Sequence, residues 1–238
     1  MQLQRLLSYT RKAVDEYSMI QEGDHIAVGI SGGKDSLTLL YALHGLNLSR
    51  KFDLSAVTVD LGFADFNLEP IQNLCRELEV PYKIVKSDIY DILFNVRQES
   101  NPCSLCAKMR KGALNEAVKE MGCNKVAYAH HKDDIIETML LSLIFEGRFY
   151  SFSPKTYLDR MDLTVIRPMM FIDEMEVIGF RNKYSLPVVK GKCPVDGHTK
   201  RQYARELNKE HPGTKERMFH AILTGDIKGW PQRTISRR

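Results

Sequence analysis

No stretch of this chain is apolar for long enough to cross a bilayer. The longest apolar run, Met139 to Phe145, is interrupted by Ser142, whereas a spanning helix needs about 20 residues. The opening residues Met1-Gln2-Leu3-Gln4-Arg5 lack the continuous apolar core of a secretion signal. No membrane partner and a cytoplasmic location are therefore expected. Cysteine is scarce and odd in number: Cys75, Cys103, Cys106, Cys123 and Cys193. An odd set in a reducing compartment argues against a disulfide framework. Cys75 and Cys123 stand alone among helix-like residues and read as small buried hydrophobes. Internal repeats, low-complexity segments and linkers rich in Pro, Gly or Ser are missing as well. Charge of one sign is modest: the net charge is +4, compatible with nucleic acid without indicating it. Arg233, Arg237 and Arg238 form a short basic tail that reads as a solvated end.

What is present is an ordinary globular composition, 43% hydrophobic and 27% charged over 238 residues, enough to bury a core without cross-links. Apolar periodicity predicts a helix over residues 1–20. Strands are expected at His25–Ile30, Leu54–Asp60, Tyr82–Val85, Lys125–Ala129 and Leu163–Ile166. Helices are expected between them, over residues 67–79, 104–121, 133–145 and 173–184, with a first crossover helix burying Leu37, Leu40, Tyr41, Leu43 and Leu46. Two late helices fall near 199–209 and 214–223. Strands alternating with helices imply right-handed βαβ units and an open, mainly parallel sheet with helices on both faces, an α/β fold. The organisation expected is an N-terminal helix (1–22), a central α/β domain (23–190) and a helical extension (191–238). The leucine-rich first helix fits either its own sheet or a second copy of the chain, so a homodimer is one expected assembly.

Between the first strand and the first crossover helix stands Ser31-Gly32-Gly33-Lys34-Asp35-Ser36. Ligands of open parallel sheets bind at the carboxyl ends of the strands. Glycines let the backbone approach an anion closely, and the following helix N-terminus offers unpaired N–H groups. Two hydroxyls and a lysine complete a cradle for phosphate or pyrophosphate. The spacing is not that of a Walker A loop, and the third glycine of a dinucleotide fingerprint is missing. The hexapeptide resembles the PP-loop of the ATP-pyrophosphatase superfamily. The resemblance implies an adenine nucleotide alpha hydrolase-like, Rossmann-like fold, and ATP cut between its α and β phosphates. It also implies that Ser31, Gly32, Gly33, Lys34, Asp35 and Ser36 hold those phosphates, and that Asp60, ending the second strand, lies near the adenosine.

Ala129-His130-His131-Lys132-Asp133-Asp134 follows the fourth strand, again on the ligand side. Asp133 and Asp134 open the next helix. There they either complement its dipole or, beside a triphosphate, hold Mg²⁺, which takes oxygen ligands. Adjacent strand residues face opposite ways, so His130 and His131 are not expected at one site. The segment is similar to the superfamily's Gly-His-x-x-Asp-Asp box, with Ala129 replacing the glycine, and the resemblance places His130 and Asp134 with the nucleotide.

Cys103-Ser104-Leu105-Cys106 puts two sulfurs on one side of a helical turn, with Lys108, Arg110 and Lys111 following to favour thiolate. The residues alone leave open a zinc half-site, a redox disulfide, or a cluster completed by Cys193, which precedes Pro194. The segment Cys103–Gly112, the run Ile166-Arg167-Pro168, Pro187-Val188-Val189 with Cys193, and Glu210-His211-Pro212-Gly213-Thr214-Lys215 resemble the tRNA 2-thiocytidine synthetase and tRNA lysidine synthetase group. That resemblance spans roughly residues 20–224. It implies an oxygen-sensitive [4Fe–4S] cluster on Cys103, Cys106 and Cys193. Pro194-Val195-Asp196 replaces the group's usual Gly-Ser-Gln, a departure bearing on the substrate.

The resemblance implies an ATP-dependent tRNA sulfurtransferase. ATP adenylates O2 of a pyrimidine, expected to be cytidine in tRNA. Sulfur from a sulfide or persulfide carrier then attacks C2 and expels AMP. Lys34 stabilises phosphate charge, Asp35, Asp133 or Asp134 positions Mg²⁺, and Lys108 or Arg110 neutralises the intermediate. Phe145, Arg148, Phe149, Tyr150 and Phe152, interleaved with Lys155 and Arg160, form either an RNA-stacking surface or a packing loop. Met161, Met169, Met170 and Met175 read as filler. A PP-loop enzyme acting on a small thionucleobase, or a non-catalytic nucleotide-binding redox sensor, are the other functions compatible with these motifs.

Overall fold

Three consecutive side chains, Ile26, Ala27 and Val28, are fully buried in strand β1 (His25–Gly29). A strand apolar on both faces belongs at the centre of a parallel sheet covered on both sides, and that is its place. The computed structural model describes residues 1–63, 65–98, 102–189, 191, 193, 211, 213–227 and 229–230. The expected helix at 199–209, the basic tail and Pro194-Val195-Asp196 lie outside the described residues.

Strands β2 (Asp53–Asp60), β3 (Tyr82–Lys86), β4 (Lys125–Ala127), β5 (Lys155–Leu158) and β6 (Leu163–Ile166) complete a six-stranded sheet of order β3-β2-β1-β4-β6-β5. All pairings are parallel except β5 with β6. The antiparallel edge strand β5 was not foreseen, because residues 155–160 read as part of a basic–aromatic loop. The chain runs outward from β1 to β3, then returns to β4 on the other side of β1. The sheet therefore switches direction between β1 and β4, where open α/β sheets bind their ligands.

Helices α1 (Leu3–Glu16), α2 (Lys34–Asn47), α3 (Glu69–Glu77), α5 (Lys132–Glu146), α6 (Glu174–Lys183) and α7 (Thr214–Thr224) contribute to one hydrophobic cluster. Helix α4 (Pro102–Glu120) and a π-helical turn at Asp91–Val96 supply the other. Leu6, Ala13 and Val14 of α1 are buried in the same cluster as β1 and α2, so the face that suggested a second copy as partner is spent inside the chain. Cys75 and Cys123 are buried as expected, and burial pushes the Cys75 thiol up to about 11. No helix among the described residues is long and apolar enough to cross a membrane.

At the end of the sheet away from the loops, Lys125 and Asp24 form a buried ion pair at 2.5 Å. Lys125 also donates to the Met19 carbonyl, and Asp24 accepts from Gln21 N–H and Asn124. Burial alone would raise the Asp24 pKa, but Lys125 and the two hydrogen bonds hold it below 3.8. A depressed folded pKa stabilises the fold above the unfolded value, and that stabilisation disappears as pH falls through the folded value. Lys125→Met leaves the Asp24 charge buried and unpaired, a loss of about 3–5 kcal/mol at neutral pH. Its Asp24 pKa then lies above 3.8, so the deficit shrinks as acid neutralises the carboxyl. Urea unfolding of both proteins at neutral and mildly acidic pH measures this, and an equal deficit at both would contradict the assignment.

Candidate active site

The phosphate loop joins β1 to α2. Gly32 has φ +84°, a conformation costly for residues with a side chain. A Cβ there would lie 2.7 Å from the Val189 carbonyl oxygen. Val189 N–H donates to Gly32 O at 2.9 Å, so the segment after α6 crosses directly over the loop. Inside the loop, Ser31 N–H donates to Ser36 Oγ at 3.2 Å, and Ser36 Oγ donates to Gly33 O at 3.0 Å. Gly33 caps α2 without a side-chain hydrogen bond, leaving the first-turn N–H groups for an anion.

Lys34 Nζ lies 3.0 Å from Asp35 and 3.0 Å from Glu174 on α6. Burial lowers its pKa, but the two carboxylates outweigh burial and leave it above the usual lysine value. Glu174 was missed from sequence. It sits 140 residues from Lys34 as one of several acids opening a helix, and no local spacing links the two.

The two histidines diverge. His131, 3% exposed, is the N-cap of α5 in a capping box with Asp134. Its Nε2 lies 3.7 Å from Asp35 and 3.5 Å from Asp134. This histidine, rather than His130, sits among the carboxylates. Asp133 accepts from Glu174 N–H at 2.7 Å and pairs with Lys215 of α7 at 2.6 Å. Lys215 and Lys132 both reach Asp173. Asp133 thus ties α5, α6 and α7 together, with both oxygens engaged. Asp35 Oδ1, by contrast, is buried and accepts no hydrogen bond; its contact with Lys34 is an ion pair alone. Among the described residues no three His, Cys, Asp or Glu side chains already surround one point. Mg²⁺ does not need them, since it uses one or two carboxylates with water and phosphate oxygens. Asp35 and Asp134 fit that pattern better than Asp133.

A cavity of about 350 Å³ opens at the switch between β1 and β4. Gly29, Ile30 and Ser31 form one wall, and Val57, Val59 and Leu61 give it an apolar floor. Ala107, Arg110, Lys111 and Leu114, one face of α4, form the opposite wall. Lys108 is exposed and not in the lining, whereas Arg110, the other cation expected here, is in it together with Lys111. Asp60 is not in the lining either. It accepts from Gly62 N–H at 3.0 Å and serves the turn after β2, while the apolar residues beside it border the cavity.

Cys103 is exposed, while Cys106 and Cys193 are partly buried. Cys193 N–H donates to Gly191 O, and Gly191 is itself in the cavity wall. Burial raises the Cys106 thiol pKa; Arg110 opposes this, and the charges of Cys193 and Cys103 raise it further. The expected thiolate bias from nearby cations is overturned at Cys106 because desolvation outweighs Arg110. That Cys103 and Cys193 both act on Cys106 means the three sulfurs share one neighbourhood, and three soft thiols suit iron.

His130, also in the cavity wall, stacks on Phe152 at 4.4 Å and accepts from Arg167 Nε at 3.3 Å. Arg167 is 6% exposed, and burial pushes it down to about 10. Lys111, open to solvent on one side, is also lowered, first by partial desolvation and then by the Arg167 charge. The basic–aromatic stretch is therefore divided. Phe145, Phe149 and Tyr150 are exposed, whereas Phe152 faces inward, Lys155 donates to Ser18 O, and Arg148 pairs with Glu146.

Residues 4–210 match the PP-loop domain family. The chain is 39% identical over 220 residues to the tRNA-cytidine(32) 2-sulfurtransferase of Geobacter sulfurreducens, covering 89% of this chain and 86% of the relative. It is 40% identical over 227 residues to the protein of that name from Pelobacter propionicus, covering 92% and 84%. Among solved structures, the U34-tRNA thiolase NcsA from Methanococcus maripaludis with its [4Fe–4S] cluster superposes with a TM-score of 0.75 at 24% identity, over 92% of this chain and 77% of that one. With a phosphate loop at the sheet's switch point and relatives aligned almost end to end, the chain belongs to the PP-loop family, in the company of the tRNA-cytidine(32) 2-sulfurtransferases.

Proposed function

We propose that this chain is an ATP-dependent tRNA sulfurtransferase that adenylates the C2 carbonyl oxygen of a cytidine and replaces that oxygen by sulfur. One observation carries the reading. A single cavity has Ser31, the first residue of the phosphate loop, on one wall and, on the other, the α4 face that starts at Ala107, one turn after Cys103 and next to Cys106. Nucleotide cleavage and sulfur delivery share one space. The relatives' names support tRNA as second substrate and cytidine 32 as its target. Residues 23–190 form the ATPase domain, 1–22 and 191–238 are its extensions, and the second extension contributes Cys193.

The cytidine oxygen attacks the α-phosphorus, and pyrophosphate leaves as its bond to that phosphorus breaks. A sulfur nucleophile then bonds to C2, and AMP departs with the original oxygen. Lys34 and the loop N–H groups take up charge on the leaving pyrophosphate. Asp35, with Asp134 beside it, would hold Mg²⁺, which would supply positive charge to the phosphates. Arg110 and Lys111 face the adenylated base and balance its phosphate. Cys103, Cys106 and Cys193 would hold the cluster, whose chemistry there would be to present sulfide-level sulfur to C2; a persulfide carrier would in addition need two electrons from a thiol reductant.

Lys34→Ala lowers tRNA-dependent pyrophosphate release and 2-thiocytidine formation by about 10²–10³-fold, with iron content retained after anaerobic reconstitution. Undiminished thiolation in that variant would sink the mechanism. Cys103→Ser loses the visible iron–sulfur absorbance and thiolation but keeps wild-type ATP affinity by calorimetry; thiolation without the absorbance excludes the cluster's role. Because Val189 hydrogen-bonds Gly32, Gly32→Ala disturbs both halves of the site. It forces a Cβ against the Val189 oxygen at positive φ and costs more than about 1 kcal/mol. ATP affinity and iron retention fall together, and loss of ATP affinity alone would show the two halves to be independent.

A further inference from the structure

Arg167 is the most deeply buried cation near the cavity, yet no carboxylate pairs with it among the described residues. Instead, its Nη1 donates to Ser153 O at 2.5 Å, its backbone N–H donates to Pro154 O at 3.0 Å, and its Nε donates to His130 Nδ1 at 3.3 Å. Arg167 does not line the cavity, whereas His130 does. A guanidinium offers donors only and keeps its proton, so His130 Nδ1 must act as acceptor. A neutral imidazole in that arrangement carries its proton on Nε2. Phe152 packs against both groups, 4.4 Å from the His130 ring and 4.8 Å from the Arg167 guanidinium carbon, and Tyr128 meets the His130 ring edge-on at 5.8 Å. The ring is held in place as well as in tautomer.

The register of β1 and β4 sets the height of this donor. Val28 pairs with Ala127 at the ends of these strands, and the segments that leave them bring His130 and Ser31, the first residue of the phosphate loop, into the wall of the same cavity. We infer that Arg167 is a positioning residue, fixing His130 as an Nε2–H donor to an α-phosphoryl oxygen of ATP. This rests on the reading of the cavity as the ATP-cleaving site. Both proposed steps place negative charge on those oxygens, first as the base oxygen attacks phosphorus and again as AMP leaves C2. A neutral donor aimed there stabilises both without giving up its proton, and no proton transfer is assigned to His130. Arg167 also connects His130 in the cavity wall with the segment that follows the exposed Phe149 and Tyr150, through Phe152 and Ser153.

The test uses full-length protein labelled with ¹⁵N-histidine, with the His130 signals assigned by their loss in His130→Gln. Wild type is expected to show an unprotonated Nδ1 and a protonated Nε2, and Arg167→Met to show both tautomers. A proton on Nδ1 in wild type overturns the positioning role even if Arg167→Met does not fold. In ATP–pyrophosphate turnover with tRNA, Arg167→Met lowers kcat by about 10–100-fold, the range for a residue that orients another, with the KM for ATP little changed. Arg167→Lys, which can still donate to Nδ1, recovers part of the loss, and His130→Gln, which keeps a side-chain N–H, exceeds His130→Ala. Equal losses in Lys and Met, or in Gln and Ala, overturn the donor role. Absence of tRNA-dependent pyrophosphate release in wild type would instead remove the proposed function and the phosphoryl target with it, while the tautomer is still judged from the spectrum.

Discussion

Gly32 sits at φ +84°, and the Val189 carbonyl occupies the space where its side chain would be. That contact decides more than the shape of a phosphate loop. Through the paired hydrogen bond, the segment after α6 is laid across the loop and carried on to Gly191 in the cavity wall and to Cys193. The third cysteine comes from beyond the sheet, far in sequence from Cys103 and Cys106. It reaches them because the chain is pinned at the phosphate loop first. Nucleotide cradle and thiol site are one mechanical unit, joined where a Cβ cannot fit.

The same economy governs charge around the cradle. Lys34 is held between Asp35 and Glu174, and Glu174 is in turn placed by Asp133, which caps the start of α6 and pairs with Lys215. The helix that follows the thiol segment, α7, is thus clamped to the helices that frame the phosphates. A carboxylate spent on such a clamp is a weak candidate for metal, because its oxygens already have partners. Asp35, whose Oδ1 accepts no hydrogen bond, is better suited to it, with Asp134 beside it already engaged in the α5 cap.

Much of this was legible in the sequence. Buried strands such as Ile26-Ala27-Val28 and amphipathic helices between them predicted the parallel sheet, and the glycine-rich hexapeptide after the first strand predicted the cradle at its carboxyl edge. These are local signals, set by periodicity and by backbone chemistry within a few residues. The edge strand β5 escaped because its four residues carry an aromatic and a lysine that suit an exposed loop equally well. Glu174 escaped because its role depends on a contact across 140 residues. Lys108 and Lys111 could not be separated by composition. Only the rotation of α4 shows that positions 107, 110, 111 and 114 share the face turned to the cavity. The thiolate expectation at Cys106 failed for a related reason: sequence displays the neighbouring cations but not the desolvation that outweighs them.

The divergence of His130 and His131 shows how far a period argument can reach. The two rings do part, but β4 already ends at Ala127, so strand alternation does not set them, and alternation is silent on which ring meets the carboxylates and which enters the cavity. That is settled by what each Nδ1 accepts. His131 Nδ1 takes the Asp134 N–H of a helix cap, and His130 Nδ1 takes the Nε–H of a buried arginine. His131 Nε2 lies beside carboxylates, and His130 stands in the wall of the cavity. Two adjacent residues of the same type, held by unlike partners, thereby serve the carboxylate side and the cavity side of one site.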